Sequence, residues 1–490
     1  MAEKALNIAS LKTYSEHFNA DRANRVAANA AVSMGVLQAA TAYAGSRAVP
    51  MDFNVELKQG SITNQRNSGR CWMFAGLNVL RYELMHTWNL ADFEFSENYL
   101  FFWEKMEKAN TYLEYVLETI DAPTDDRRFQ LINEGPVQDG NWWKGFADLV
   151  TKYGLVPKSA YPESANSRSS DDFIQYINSK LREFAIQMRE AHKQGESLEQ
   201  LRVRKDEYMD LVYRMCAISL GEPPVKFDFF ARVEDDAQKG ESEKGADGKN
   251  ADEKNADEKS EKSDEKGADD AKPKSGKSGK DERKQIVDLG ITPLEFYKKY
   301  VPVDVNDYET VINSPLESTP YGKRYAYKNS ATVIEAGNMD ALNVDLDTFR
   351  TAATTMITEG HPVWFACDCT QFALRRAGYF DEGTVRVDEL FGTSFTLDKA
   401  QGLEYMDYPS NHAMTFMGLN LDENGQPNRW KVENSWGKDN GKDGYYVASG
   451  AWFDRFVREV IVLKKYLPAE LLEAETVEVE PWQPVSRMCR

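Results

Sequence analysis

Histidine and cysteine are scarce in this chain of 490 residues, at five each, and each scarcity excludes something. Five cysteines form no even-spaced framework, so a disulfide-stapled secreted scaffold is set aside and reduced cytosolic thiols are expected. Basic residues are outnumbered, 60 Lys and Arg against 79 Asp and Glu, for a formal charge of -19. That balance argues against nucleic acid and anionic membrane surfaces as partners. No run of about 20 uninterrupted apolar residues occurs, so no membrane span is expected. The alanine-rich stretch from Val26 to Ala44 is interrupted by Asn29, Ser33, Gln38 and Thr41. It also starts too deep in the chain for a signal peptide and reads as a close-packing helix. No cofactor motif is present. What is there is ample: 41% apolar and 12% aromatic residues, enough for a large core in two or three domains.

Residues 1–50 read as two helical pieces ending at Pro50. From Cys71 to Trp88 the pattern is apolar nearly all round, which predicts a centrally buried helix. Further helices are expected to about residue 220, including the strongly helix-favouring "LEQLRVRKDEYMDLVYRM". From Glu234 to Lys284 there is no aromatic residue and almost nothing aliphatic beyond alanine. Such a segment cannot bury enough apolar surface to offset ordering entropy, so 233–285 is expected to be a disordered, charged tether. It holds 17 acidic and 13 basic residues, which leaves 62 against 47 elsewhere, so the folded body is itself acidic. Strands separated by turns follow, with "NHAMTFMGLNLD" and "RWKVENSWG" the clearest pair, joined by "DENGQPN".

The stretch "NQRNSGRCW" runs a loop straight into the buried helix, with Cys71 as its first residue. A free thiol, with a pKa of about 8.5, is only a few per cent ionised at neutral pH. At a helix N-terminus beside an imidazole it becomes a usable nucleophile. Of the five histidines, His17, His86 and His192 lie in helical or charged contexts and His361 precedes Pro362. His412 opens a strand, and on the neighbouring strand Asn434 shares a period-two face with Trp430, Val432 and Trp436. A polar group on that face needs a partner, and an imidazole N–H of His412 is the natural one, covered by Trp436. Gln65, six residues before Cys71, can return its side-chain amide to join the Cys71 N–H in an oxyanion hole. Each residue also has an ordinary reading: a buried small hydrophobe, a core histidine, a capping asparagine. "CDC" at Cys367 to Cys369 lacks a second pair of ligands and reads as part of a buried strand rather than a metal site.

Three blocks, "ITNQRNSGRCW", "NHAM" and "VENSWGKDNGKDGYY", resemble the active-site segments of papain-like cysteine peptidases. With "GLVPKSAYPES", "LGEPPVKFDFF", "ITPLEFYKKYV", "ALNVDLDTFR", "PVWFACD" and "EPWQP", the chain resembles the bleomycin hydrolase / aminopeptidase C branch. The resemblance implies an α+β, papain-like two-lobed fold, with a helical lobe, an antiparallel β-barrel-like lobe, helical insertions and a C-terminal arm. It divides the chain into an N-terminal arm 1–50, a catalytic helical lobe 51–165, an oligomerisation insertion 166–232, the charged insert 233–285, a β-rich lobe 286–465 and an arm 466–490 entering the cleft. It implies catalysis by Cys71, His412 and Asn434 with Gln65 in the oxyanion hole. A thiol pKa of about 3–4 is the value for papain's histidine-paired cysteine. It further implies a cytoplasmic homohexamer acting on peptides, with no metal or cofactor. The terminal carboxylate, here that of Arg490, receives the substrate's α-amino group, and Gly140 borders the bound main chain. Two departures stand out. The family's usual "MGALA"-type ending is replaced by "VSRMCR", and the second of a glycine pair is Asn141. The altered ending leaves an endopeptidase of the same fold open. A non-catalytic nucleic-acid-binding ring is the alternative of a different class.

Overall fold

The computed structural model describes residues 5–234 and 284–486; most of the charged insert, and Arg490, lie outside the described residues. Four helices rather than two fill the N-terminal arm: α1 (Ile8–Ala20), α2 (Arg22–Met34), α3 (Val36–Ala39) and α4 (Tyr43–Ala48). Asp21 makes the first division, since its carboxylate accepts from Ala23 N at 2.8 Å and starts a new helix. Gly35 makes the second at φ +85, a backbone angle that glycine adopts without strain. None of the four helices contains a buried residue.

After the short β1 (Val55–Glu56) and a loop, α5 spans Cys71–Trp88, and every residue from Trp72 to Met85 is buried. Around it lie α6 (Glu97–Glu118), α7 (Arg127–Glu134), α8 (Trp143–Tyr153) and α9 (Ala165–Arg168). Beyond them stand α10 (Asp171–Lys193) and α11 (Leu198–Leu220). Local chemistry sets the starts: Ser96 caps α6 through Tyr99 N, and Ser197 with Gln200 forms a capping box on α11. Phe184 of α10 stacks on Tyr208 of α11 at 4.0 Å. The hairpin β2 (Phe227–Arg232) and β3 (Gln285–Ile291) pairs antiparallel on either side of the charged insert.

The rest of the chain builds one large sheet. Its strands are β4 (Tyr308–Ile312), β5 (Lys323–Tyr327), β6 (Asp340–Asn343), β7 (Val363–Cys367), β8 (Ala373–Leu374) and β9 (Tyr379–Phe380). They continue with β10 (His412–Leu421), β11 (Pro427–Glu433), β12 (Tyr445–Ser449), β13 (Val457–Leu463) and β14 (Thr476–Val479). The order across the sheet is β14-β5-β6-β4-β13-β7-β10-β11-β12-β9-β8, with β1 added to β10. The sheet is mixed, because β14–β5, β4–β6 and β12–β9 run parallel. No helix among the described residues is long and apolar enough to cross a membrane.

Strand β10 is buried over its first eight residues because both faces are covered. On one face Phe416 stacks on Phe365 at 3.7 Å. On the other, α5 docks through Thr415 Oγ1 to Ala75 O at 3.3 Å and Trp364 Nε1 to Trp72 O at 3.0 Å. The four residues from Cys71 to Ala75 rise about 6 Å and the two from Ala413 to Thr415 about 6.6 Å, so the bond from Thr415 to Ala75 brings Ala413 beside Cys71.

Candidate active site

The loop before α5 is built so that Cys71 meets the sheet with its helix end open. Arg70 takes the N-cap position without a side-chain cap bond, and the first turn contains no acidic residue. The guanidinium turns away to Glu163, bonded at 2.9 and 2.8 Å, and lies over Phe74 and Phe101. The N–H groups of Trp72 and of Cys71 itself are therefore left for the sulfur, and the Ala413 N–H reaches it from β10. Two residues earlier, Gly69 N donates to Asp139 Oδ2 at 2.8 Å. A Cβ at Gly69 would sit 2.6 Å from the Asp139 Cβ, so a glycine is required.

From the sheet, His412 is 5% and Asn434 1% exposed. His412 Nε2 lies 2.9 Å from Asn434 Oδ1, which also accepts from Ser435 N at 2.8 Å. With Nε2 donating, Nδ1 is left as the basic nitrogen. The Trp436 ring stacks on the imidazole at 4.7 Å, shielding the bond from water. Gln65 is held by the segment that carries Asn434. Its backbone N donates to Ser435 O at 2.8 Å, and its Oε1 accepts from Ser435 Oγ at 2.6 Å. Its Nε2 donates one hydrogen to Ser68 O at 2.7 Å and keeps a second. The fold thus gathers Gln65, Cys71, His412 and Asn434 where α5 meets β10.

Burial pushes the half-buried Cys71 thiol up, opposed by the N–H groups of Ala413 and Trp72 and reinforced by Asp139. This differs from the depressed thiol expected from sequence, because the seam is drier than a helix end alone suggests. Burial likewise pushes the His412 imidazole down to about 4, with the Asn434 acceptor opposing and the Arg375 cation adding. Neither group ionises readily alone. An opposite charge close by is what offsets such burial.

Two other histidines and two other cysteines among the described residues are engaged elsewhere. His361 meets Glu83 at 2.6 Å and His192 meets Asp121 at 3.0 Å. Cys367 is a buried β7 residue beside His412 O at 3.8 Å, and burial pushes the Cys369 thiol up to about 12.

On the other side of Cys71, Gly140 has φ +90, bonds Gly69 O through its N–H at 3.1 Å, and leaves open space where a Cβ would point. It borders a cavity of about 330 Å³ whose walls include Trp142, Tyr327, Pro481 and Ser486. Asn141 does not obstruct this edge: it is buried, and its Oδ1 accepts from Thr332 Oγ1 at 3.0 Å. Sequence reasoning missed Ser435, Asp139 and Arg375. Ser435 sits inside the quoted "NSWG", and Asp139 beside the glycine that drew notice. Arg375 carries no sequence signal at all.

The model of the peptidase C1-like family matches residues 5–248 and 278–486. Aminopeptidase C of Listeria innocua serovar 6a is 35% identical over 482 residues, covering 98% of each chain. Aminopeptidase C of Lactobacillus delbrueckii subsp. lactis is 32% identical over 491 residues, covering 99% of each. Among solved structures, PepW from Lactobacillus rhamnosis HN001 matches with a TM-score of 0.85 at 34% identity over 98% of each chain.

Proposed function

This chain belongs to the peptidase C1-like family, and we propose that it removes residues from the free N-terminus of peptides by acyl transfer through Cys71. The observation that carries the reading is the His412–Asn434 bond of 2.9 Å on the strand whose next N–H touches the Cys71 sulfur. Cys71 Sγ attacks the carbonyl carbon while its proton passes to His412 Nδ1. The resulting oxyanion is met by the second Gln65 Nε2 hydrogen and the Cys71 N–H. Collapse breaks the C–N bond, His412 returns the proton to the departing amine, and a thioester remains. Water, deprotonated by the same imidazole, then cleaves the thioester. Asn434 keeps the ring in the tautomer that needs no turn between these steps.

Exopeptidase action is supported by the C-terminal arm. Strand β14 runs along the sheet edge, and Pro481 and Ser486 wall the cavity beside Gly140. The acyl side is thereby narrowed to short fragments. We place the enzyme in the cytoplasm, where the four described cysteines, none of them in a disulfide, stay reduced. Assembly with copies of itself, as a homohexamer, is supported by α1 and α2, where Ile8 and Val32 are 86% and 88% exposed.

The test compares an alanyl aryl amide with its N-acetyl form, with active sites counted by thiol-epoxide titration of Cys71 in a separate aliquot. Preference for the free amine supports the reading. Preference for the blocked substrate makes the enzyme an endopeptidase. Removing residues 487–490 should narrow the difference.

A further inference from the structure

We propose that Arg375 binds a carboxylate on the leaving half of the substrate, so that peptides releasing a negatively charged fragment are favoured. The proposal rests on the peptidase reading above. The departing amine takes its proton from His412, so the leaving fragment must lie against His412 and the Trp436 ring stacked on it at 4.7 Å. Arg375 follows β8 at the sheet edge opposite β14, and its Cζ lies 5.3 Å over that same Trp436 ring. The C-terminal arm and Arg375 thus flank the histidine from opposite ends of the sheet.

Arg375 is exposed, and among the described residues its hydrogen-bond partner is the Cys369 sulfur at 4.0 Å. Two other arginines near this edge, Arg386 and Arg455, have carboxylates at 2.8 and 2.6 Å. Arg375 has none among the described residues. A planar guanidinium fork resting on an aromatic face is preorganised for a carboxylate. Its present position also has a cost. A cation beside an imidazole that must become positive opposes proton uptake, and Arg375 does hold His412 down. A carboxylate arriving with the substrate neutralises that cation as the reaction begins. Binding the preferred fragment therefore helps His412 to accept the thiol proton. The carboxylate has two sources: the C-terminus of a dipeptide, or an acidic side chain next to the cleaved bond in a longer peptide.

The experiment measures kcat/KM for two matched pairs, Ala-Ala against Ala-Ala-amide and Ala-Glu-amide against Ala-Gln-amide. Wild type should favour the acid over its neutral partner by about tenfold in at least one pair, the scale of one charge-assisted hydrogen bond. The pair that discriminates identifies the source. In Arg375→Gln the ratio should fall to about one, and in Arg375→Lys part of it should survive, whatever the absolute rates do. A wild-type ratio of one in both pairs, or an undiminished ratio in Arg375→Gln, overturns the proposal. The same pairs are assayed N-acetylated. Should only blocked peptides be cut, the exopeptidase reading fails while the ratio still reports on Arg375.

Discussion

The two flanks of Cys71 solve opposite problems with the same ingredients. On the acyl side the charges are buried and matched. Lys105, wholly buried, meets Asp139 Oδ1 at 2.7 Å, Glu104 at 2.9 Å and Val137 O at 2.9 Å. Asp139 Oδ2 spends its remaining capacity on Gly69 N at 2.8 Å and Ser170 Oγ at 2.6 Å. Burial works against the Asp139 charge, but Lys105 and these donors outweigh it and hold the carboxyl at about 2. On the leaving side one exposed cation rests on an aromatic ring. The attacking sulfur has to be placed to a fraction of an ångström, and a buried network supplies that rigidity. A departing fragment needs only the proton from His412 and a passing contact, and that contact is what a solvated arginine supplies without ordering the backbone.

The sharpest way to break this comparison is to empty its centre. Cys71→Ala should abolish epoxide labelling and lower kcat by on the order of 10⁴–10⁶-fold, since nucleophile and base act as a unit. His412→Ala should do nearly as much. Residual turnover close to wild type would place the chemistry elsewhere and make the flanks irrelevant.

Next comes the contrast between flanks. Asp139→Ala leaves Lys105 buried with one partner fewer and the Gly69 N–H unclaimed, so unfolding stability should fall by about 3 kcal/mol. Arg375→Gln, at an exposed site, should change it by less than about 0.5 kcal/mol. Denaturant titration of both variants decides the matter, and equal losses would erase the distinction. Asn434→Ala should cost about tenfold to a hundredfold in kcat. It removes the acceptor that fixes the His412 tautomer, and a buried N–H without a partner costs about 1–3 kcal/mol.

Much of this centre is legible from sequence, and the reason is periodicity. An apolar pattern running all round can only be a central helix, and α5 starts and stops at Cys71 and Trp88. Alternation fixes the faces of β10 and β11, so the partnership of His412 with Asn434 follows from a requirement that buried polar groups be satisfied. What lies on the flanks has no such signature. Asp139 acts from 68 residues beyond Cys71 through contacts made only by the tertiary fold. The place of β14 beside β5, parallel and at the sheet edge, is a long-range pairing that local pattern does not encode. Cysteine identity alone is equally mute. Cys216, inside α11, is a buried thiol pushed up to about 12 by its surroundings, and nothing but position separates it from Cys71. The breaks at Asp21 and Gly35 were in plain view, yet helix propensity on either side conceals them.

The smallest effect is also the most diagnostic of electrostatics rather than structure. The Asp139 anion raises the Cys71 thiol, adding to burial. Because Asp139 is held at about 2, it stays ionised through the working range and contributes no titration of its own. Asp139→Asn keeps the shape, retains Glu104 beside Lys105 and removes the charge, while turning one of the two acceptor oxygens into a donor, so its oxygen can serve either Lys105 or the Gly69 N–H and Ser170 Oγ. With that charge gone, the thiolate is less disfavoured, so ionisation is reached at lower pH. The acid limb of kcat/KM should therefore move down, by less than about one unit for a single charge at this separation. A purely mechanical role for Asp139 would lower the whole profile without moving the limb, and an upward movement would contradict the electrostatic role given to its charge.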